Sequence, residues 1–219
     1  MQIKIPYTPR KHQAYLHREI SRFRWNVLVC HRRFGKTVCM INHLIRSALL
    51  SKHKNPRFAY IAPTFKQAKS IAWDYMKQFT AKIPHTKFNE TELRVDLPNG
   101  SRITLLGSEN SDGLRGIYLD GCVIDEYANV NERLFPEIIR PALSDRKGYC
   151  VFIGTPQGMN NNFYELYQHA QGAEDWFNYK AKASETKIVD NEELIKAKEV
   201  MGEKKYLQEF ECDWIANIE

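Results

Sequence analysis

The sequence has 219 residues, of which 43% are hydrophobic and 26% charged, and its formal net charge is +6. This length suits one domain of ordinary size and excludes a helicase with two complete cores. No apolar run approaches the roughly 20 residues of a membrane-spanning helix, and the N-terminus lacks the apolar stretch of a secretory signal. The positive charge permits contact with a polyanion without demonstrating it, so the motifs must decide the function.

Strand-like apolar segments alternate with helical ones, which predicts an α/β fold around a mainly parallel sheet with flanking helices. Strands are predicted at residues 25–30, 57–62, 122–125 and 149–154, and helices at residues 35–50, 65–83, 191–201 and 203–212. Asn99-Gly100 separates two alternating segments, 93–97 and 102–106, and favours a β-hairpin. After about residue 175 the sequence is rich in charged residues and has the pattern of helices. We therefore expect a core domain over residues 1–175 and a small helical lid or linker over residues 176–219.

The segment CHRRFGKT, residues 30–37, lies between the first predicted strand and an amphipathic helix. A phosphate-binding (Walker A) loop has this setting: N–H groups at the helix start surround an anion, Lys36 reaches the β- and γ-phosphates, and the Thr37 hydroxyl binds Mg²⁺. Cys30 departs from the usual glycine at the first position, and a plain strand-to-helix turn is the alternative. Two adjacent arginines crowd positive charge here, which favours an anion and makes Arg32 a candidate phosphate ligand. The predicted nucleotide-binding residues of the loop are His31, Arg32, Arg33, Phe34, Gly35, Lys36 and Thr37.

An acidic pair, Asp125 and Glu126, ends the apolar segment GCVI. In P-loop ATPases the first acid holds Mg²⁺ through water, and the second polarises the attacking water. We therefore predict Asp125 as a metal-site residue, together with Thr37, and Glu126 as the catalytic carboxylate. An apolar strand that ends in two acids is common in other α/β proteins. The pair therefore supports an ATPase site only in combination with the loop upstream.

Two further segments would complete such a site. The strand predicted at 149–154 ends at Gly154-Thr155, where a hydroxyl would lie beside a γ-phosphate and report hydrolysis to the rest of the molecule. A Gly-Pro turn without chemistry is the alternative. Upstream of the loop, YTPRKHQ resembles the glutamine-bearing segment that reads adenine in helicase-like motors. Gln13 is then expected at the adenine edge and Tyr7 on its face, with a solvated helix start as the alternative.

The ordered set CHRRFGKT, YIAPTFKQAKSIAWD, GLRG, VIDEYAN and IGTPQGMNNNFYELY resembles the ATPase domain of large terminase subunits of tailed bacteriophages. The resemblance covers residues 7–212. It implies a P-loop NTPase fold of the additional-strand catalytic-glutamate class with a C-terminal helical lid. It also implies that Arg32 is a catalytic arginine, that Arg115 in GLRG lies near the γ-phosphate, and that Gly154 and Thr155 form the coupling motif. A positive group is physically sensible beside the γ-phosphate, because phosphoryl transfer spreads charge over its oxygens.

The same resemblance implies cofactors, partners and a setting. It predicts an ATPase that uses ATP and Mg²⁺ to drive double-stranded DNA into a procapsid. The implied protein partners are the portal protein, the small terminase subunit and further copies of the chain in a homo-oligomeric ring. The expected location is the cytoplasm of the infected bacterial host, with no membrane association. Such translocation needs charge-based contacts that are indifferent to DNA sequence.

Departures from the family pattern leave other interpretations open. Family members usually continue into a ribonuclease-H-like nuclease, whereas this sequence ends at Glu219. Leftover acids such as Asp213 and Glu219 cannot by themselves form a two-metal site, so we expect no endonuclease activity. A superfamily 2 helicase-like DNA translocase is the runner-up, because its early motifs share the APT and Asp-Glu segments. A non-hydrolysing, nucleotide-gated binding module is the third interpretation, in which Cys30 spoils the loop.

Overall fold

A mixed sheet of eight strands organises the computed structural model, which describes residues 2–216. The strands are β1 (Trp25–Cys30), β2 (Arg57–Ala62), β3 (Lys87–Asn89), β4 (Arg94–Asp96), β5 (Arg102–Gly107), β6 (Gly121–Ile124), β7 (Tyr149–Gly154) and β8 (Trp176–Ala181). Their order across the sheet is β3-β4-β5-β2-β6-β7-β1-β8. The β3-β4-β5 ribbon is antiparallel, and all other neighbours are parallel. The carboxyl ends of the parallel strands therefore meet at one edge, where α/β proteins bind ligands.

Helices connect the strands and cover the sheet. The α-helices are α1 (Lys11–Ile20), α2 (Lys36–Leu50), α3 (Phe65–Ala68), α4 (Asp74–Thr80), α5 (Arg140–Ala142), α6 (Asn162–Gly172), α7 (Ala183–Thr186), α8 (Asn191–Met201) and α9 (Glu203–Phe210). Short 3-10 segments lie at Ser108–Leu114 and Tyr127–Asn129, and π-helical turns lie at Lys69–Trp73 and Phe135–Ile139. Among residues 2–216, no helix combines the length and the apolar character needed to cross a bilayer.

The central strands are buried on both faces, because helices cover both sides of a parallel sheet. Every residue of β1 is buried, and all of them except Asn26 are apolar. On one face Leu28 and Tyr60 pack with residues of α1, α2 and α4. On the other face Val27 and Phe152 pack with residues of α6 and with Trp214. Burial of each such side chain contributes about 1.5–3 kcal/mol to folding.

The sheet confirms the predicted fold class. β7 lies between the loop strand β1 and the acidic strand β6, which is the additional strand of that class. The predicted hairpin is also present as β4 and β5. Its turn closes through hydrogen bonds between Leu97 and Ser101 and between Gly100 and Leu97. Gly100 adopts the positive φ, 85°, whereas Asn99 donates to the carbonyl of Ala48 at 2.8 Å and so docks the hairpin on α2.

The structure also corrects the sequence-based expectations. The helix expected over residues 65–83 is interrupted by the π turn Lys69–Trp73, and the edge strand β3 was not predicted. β8 was not predicted either, yet it pairs with β1 from Trp176 to Ala181. The boundary expected at residue 175 therefore falls before the last strand of the core, and the first lid helix begins at Ala183. The division into a core and a lid stays a prediction, and residues 217–219 lie outside the described part.

Candidate nucleotide-binding and catalytic site

The loop between β1 and α2 turns sharply through two left-handed residues. Arg33 has φ 70° and Gly35 has φ 88°. Gly35 is favoured for its backbone conformation, and a Cβ atom there would lie 3.0 Å from Nε2 of Gln13, so that side chain would have to shift. Cys30 is the last residue of β1 and is fully buried. Its departure from the usual glycine therefore falls in the strand and not in the turn.

The start of α2 presents unused backbone donors. Within the described residues, the N–H groups of Gly35, Lys36 and Thr37 have no hydrogen-bond acceptor. Free N–H groups are expected in the first turn of a helix, and the helix dipole adds partial positive charge at the same point. This end of α2 therefore has the chemistry of an anion-binding site.

The acidic pair follows β6 directly. Oδ1 of the buried Asp125 accepts the backbone N–H of Glu126 at 2.8 Å, and Oδ2 accepts the hydroxyl of Tyr60. Burial raises the pKa of Asp125, while the hydrogen bond from Tyr60 and the charge of Lys36 lower it. Burial and the charge of Asp125 also raise the pKa of Glu126. A bound cation would favour the ionised form of both carboxyl groups.

A cleft of about 370 Å³ opens between the loop and the acids, at the carboxyl edge of the parallel strands. The predicted residues that line it are Arg32, Lys36, Thr37, Asp125, Glu126, Gly154 and Thr155. The lining residues that sequence reasoning missed are Ile71, Ala128, Asn129, Gln157 and Glu209. The volume lies within the usual range of ligand-binding pockets. The structure thus brings the loop, the acidic pair and the proposed coupling motif into one site.

Two groups of this cleft fit a magnesium site. The Thr37 hydroxyl and the Asp125 carboxylate supply oxygen atoms, which Mg²⁺ prefers. Over residues 2–216 no cluster of three or more His, Cys, Asp or Glu side chains is arranged to hold a metal ion. A magnesium ion held here would therefore take its remaining ligands from phosphate oxygens and water, as is usual for this metal at nucleotide sites.

The family described as "Terminase large subunit, T4likevirus-type, N-terminal" matches residues 29–217. The chain belongs to this family. The terminase large subunit of Thermus phage G20c is 27% identical over an alignment of 182 residues, and the match covers 74% of this chain and 36% of that protein. The terminase large subunit of Thermus virus P23-45 matches with the same identity and coverage. The chain thus spans 36% of the length of these curated relatives.

Solved structures share the fold. The large terminase ATPase domain of Thermus phage P74-26 has a TM-score of 0.81 at 22% identity, over 96% of both chains. The large terminase of another thermophilic bacteriophage, solved in complex with ADP, has a TM-score of 0.81 at 16% identity, over 94% of this chain and 53% of that one. These similarities confirm the P-loop NTPase fold predicted from the sequence.

Three other predicted residues of the loop point away from the cleft. Phe34 is fully buried in the core, and Arg33 is exposed. His31 is buried, with Nδ1 2.7 Å from the carbonyl of Arg32 and Nε2 2.7 Å from the hydroxyl of Thr186. Burial lowers the pKa of His31, so the neutral ring donates to the carbonyl and accepts from the hydroxyl. Within the described residues, these three side chains shape the loop without lining the cleft.

Gln13 and Tyr7 also lie away from the cleft. Oε1 of Gln13 accepts the N–H of Arg10 at 2.9 Å, and Nε2 donates to the carbonyl of Gly35 at 3.0 Å. Both ends of this amide are therefore occupied, and Gln13 ties the start of α1 to the loop. Tyr7 packs its ring against His17 and borders a separate cavity of about 550 Å³.

Arg115 is not brought into the cleft of its own chain. Its guanidinium pairs with Asp112 at 3.2 Å and with Glu137 at 3.5 Å, and its side chain is 51% exposed. The cleft lining found over residues 2–216 does not include it. The catalytic role implied by the family resemblance stays a prediction.

The strand β8 and the C-terminal helix α9 both contact the loop directly. The N–H groups of His31 and Arg32 donate to the carbonyls of Ala181 at 3.0 Å and Glu209 at 2.8 Å. Glu209, on α9, also lines the cleft, and its carboxylate pairs with Lys205 at 3.0 Å. Sequence reasoning missed Glu209 because no pattern separates it from the other acids of a charged helix. Only the packing of α9 on the loop reveals it.

The acids considered for a nuclease fall at the end of the chain. Oδ1 of Asp213 accepts the N–H of Ile215 at 2.8 Å. Glu219 lies outside the described residues. The expectation that these residues give no endonuclease activity therefore stays a prediction.

Proposed function

We propose that this chain is the ATPase domain of a viral DNA-packaging motor, which couples the hydrolysis of Mg-ATP to the translocation of double-stranded DNA into a procapsid. The observation that carries the proposal is the single cleft that joins Lys36 and Thr37 to Asp125 and Glu126. Membership of the terminase large subunit family supports the motor, and the ADP complex of the thermophilic phage terminase supports nucleotide binding by this fold.

Five side chains of the cleft fit tasks in phosphoryl transfer. Lys36 and the free N–H groups at the start of α2 hold the phosphates. Thr37 and Asp125 would hold Mg²⁺, which neutralises charge on the β- and γ-oxygens when bound. Glu126 orients the attacking water and accepts its proton. Arg32 stabilises the charge that develops on the γ-phosphate oxygens.

Tyr7 is a better candidate than Gln13 for contact with the adenine. The Gln13 amide is occupied on both sides, whereas Tyr7 borders a cavity together with the apolar residues Ile5 and Pro9. An aromatic ring beside apolar side chains suits the face of a planar base. In this proposal Gln13 keeps the loop against α1, and Tyr7 supports a base that extends from the cleft to this second cavity.

Hydrolysis can act on the rest of the molecule at two points of the cleft. Gly154 and Thr155 form its wall at the end of β7, and the lid contacts the loop through Thr186 at the His31 ring and through Glu209 at the Arg32 N–H. Movement of these contacts would alter the placement of the C-terminal helices, which we propose as the coupling step. The partners in this proposal are double-stranded DNA, the portal protein, the small terminase subunit and neighbouring copies in a ring. The setting is the cytoplasm of the infected bacterial host.

Arg115→Ala is expected to leave ATP affinity unchanged and to slow hydrolysis by the assembled motor about 10³-fold, because we assign Arg115 to the cleft of the neighbouring subunit. Its exposed position and its absence from the described lining of its own cleft support this assignment. The measurements are nucleotide binding and steady-state hydrolysis on procapsids. Arg133→Ala is the matched control, since Arg133 pairs with the same Glu137 at 2.9 Å and is expected to be dispensable.

Mixing two inactive variants tests the same assignment. Arg115→Ala retains Glu126, and Glu126→Gln retains Arg115, so a mixed ring contains some sites with both intact groups. Recovery of hydrolysis on mixing is the expected result. Absence of recovery at every mixing ratio would contradict a role in the neighbouring subunit.

The kcat/KM for ATP is expected to fall as the pH is lowered through the pKa of Glu126 in the nucleotide-free chain. Only the ionised carboxylate accepts a proton, so activity is retained above this pKa and lost below it. Burial and the charge of Asp125 raise this pKa above its ordinary value of 4.5, so the acid limb should lie above pH 4.5. A pH profile of kcat/KM measures it, because this ratio reports the ionisations of the free enzyme. An acid limb at or below that pH, in protein still folded by circular dichroism, would contradict the assignment.

An ATPase assay with and without DNA separates the proposed function from its alternatives. DNA-stimulated hydrolysis without strand separation is the expected result. Strand separation would favour the helicase-like translocase. Tight ATP binding with no turnover under any condition of assembly would favour the non-hydrolysing binding module.

A further inference from the structure

Tyr60, a fully buried residue of β2, reaches the acidic pair from the neighbouring strand. β2 and β6 run parallel, with Tyr60 opposite Val123. Asp125 follows two residues later, about 6.6 Å further along the strand and on the same face of the sheet. A tyrosine side chain that leans along the strand spans this distance. Its hydroxyl donates a hydrogen bond to Oδ2 of Asp125.

This hydrogen bond is one half of a clamp on the Asp125 carboxylate. The other half is the backbone N–H of Glu126, which donates to Oδ1 at 2.8 Å. Because each oxygen has its own donor, the carboxylate is fixed in one orientation at the wall of the cleft. Glu126 itself has a left-handed backbone, with φ 48°, which residues other than glycine rarely adopt. The clamp therefore also holds the turn from which the Glu126 side chain leaves.

Thr37, the second residue of α2, lines the same cleft as Asp125. In the bond to Oδ2 of Asp125 the Tyr60 hydroxyl is the donor, since an ionised carboxylate can only accept. Tyr60 thus contacts one of the two residues to which we assign the magnesium ion, and that residue shares the cleft with the other.

We propose that Tyr60 is a positioning residue of the nucleotide site: its hydroxyl orients the Asp125 carboxylate relative to Thr37 and, through Asp125, fixes the turn that carries Glu126. Tyr60 is fully buried and is not among the described residues that line the cleft, so it acts through these neighbours and not on the nucleotide. This inference rests on the proposed ATPase function.

Tyr60→Phe tests the proposal, because it removes one oxygen atom and keeps the ring in place. Nucleotide affinity in EDTA is expected to stay within about twofold of the unmodified chain, since the phosphate-binding loop is untouched. The Mg²⁺ concentration that gives half-maximal tightening of nucleotide binding should rise about tenfold, the usual cost of removing the partner of a metal-binding carboxylate. The kcat should fall by a similar factor, with little change in the KM for ATP.

Tyr149→Phe is the matched control. Tyr149 is also a sheet tyrosine with a bonded hydroxyl, 2.8 Å from Oγ of Ser47, but it lies at the start of β7, away from the cleft. Its loss is expected to leave the Mg²⁺ dependence unchanged. In an Asp125→Asn background, Tyr60→Phe should cause no further change in that dependence, because it acts through Asp125. A further change of equal size would overturn the proposal.

The remaining outcomes distinguish this inference from the function on which it rests. If the unmodified chain binds no nucleotide, the proposed function fails. If it binds nucleotide and Tyr60→Phe has the same Mg²⁺ dependence and kcat, only the role of Tyr60 fails. Should the variant not fold, the unmodified chain labelled with ¹³C at tyrosine Cζ replaces it. The Tyr60 resonance, assigned with Asp125→Asn, should move with Mg-ADP and not with ADP in EDTA, and an unmoved resonance would overturn the proposal.

Discussion

Glu126→Gln is expected to bind ATP as tightly as the unmodified chain and to hydrolyse it at least about 100-fold more slowly, because an amide of the same shape cannot accept the proton of the attacking water. Its stability should be equal or higher. The pKa of Glu126 is raised in the folded chain, so its ionised form costs folding free energy at neutral pH, and the amide removes this cost. Single-turnover hydrolysis, binding of a fluorescent ATP analogue and thermal unfolding measure the three effects.

The control for this variant is Glu132→Gln, which makes the same chemical change at an exposed acid further along the same connection. It should hydrolyse ATP at the unmodified rate. Steady-state hydrolysis that survives Glu126→Gln would remove Glu126 from the mechanism. A loss of ATP affinity without a loss of turnover would assign it to binding instead.

Lys36→Ala should weaken ATP binding by roughly 30- to 150-fold, because a hydrogen bond between charged groups contributes about 2–3 kcal/mol. Turnover should be lost as well, since the same ammonium group faces the phosphate charge that grows during transfer. The Lys36 charge also lowers the pKa values of Asp125 and Glu126, so any residual activity should have its acid limb at higher pH. Titration calorimetry with a non-hydrolysable ATP analogue measures the affinity.

Lys52→Ala provides the comparison, because Lys52 is an exposed lysine just beyond the other end of α2. It removes the same charge at a distance from the cleft and should leave ATP affinity unchanged. An affinity of Lys36→Ala within twofold of the unmodified chain would show that the start of α2 does not hold the phosphates.

The core of the site was predictable because its parts are contiguous segments at the ends of strands. The loop carries Lys36 and Thr37 after β1, and the acids Asp125 and Glu126 follow β6. In a parallel sheet the carboxyl ends of strands share one edge, so both segments had to approach each other once the strands were recognised. Thr155, at the end of β7, follows by the same logic.

Other parts depended on packing that no local pattern encodes. Tyr60 contacts Asp125 only because β2 is the neighbour of β6 in the sheet. The order of strands in the sheet cannot be predicted from the sequence of either strand. Glu209 reaches the cleft because a later helix folds back on the loop. Gln13 was expected to face a base, but the cap of α1 and the carbonyl of Gly35 occupy its amide. The hydrogen bonds of the Gln13 amide are therefore made within the chain, which its sequence position did not reveal.

The position of β1 has a consequence for synthesis. Trp25 pairs with Cys150 on one side and with Trp176 on the other, so β1 is synthesised well before both of its partners. A nascent chain therefore carries this strand with two open edges until β7 has been made, which is a hazard for aggregation. Fragments that stop before Ala181 keep one of those edges exposed, so recombinant versions trimmed at residue 175 should be the ones that fail to stay in solution.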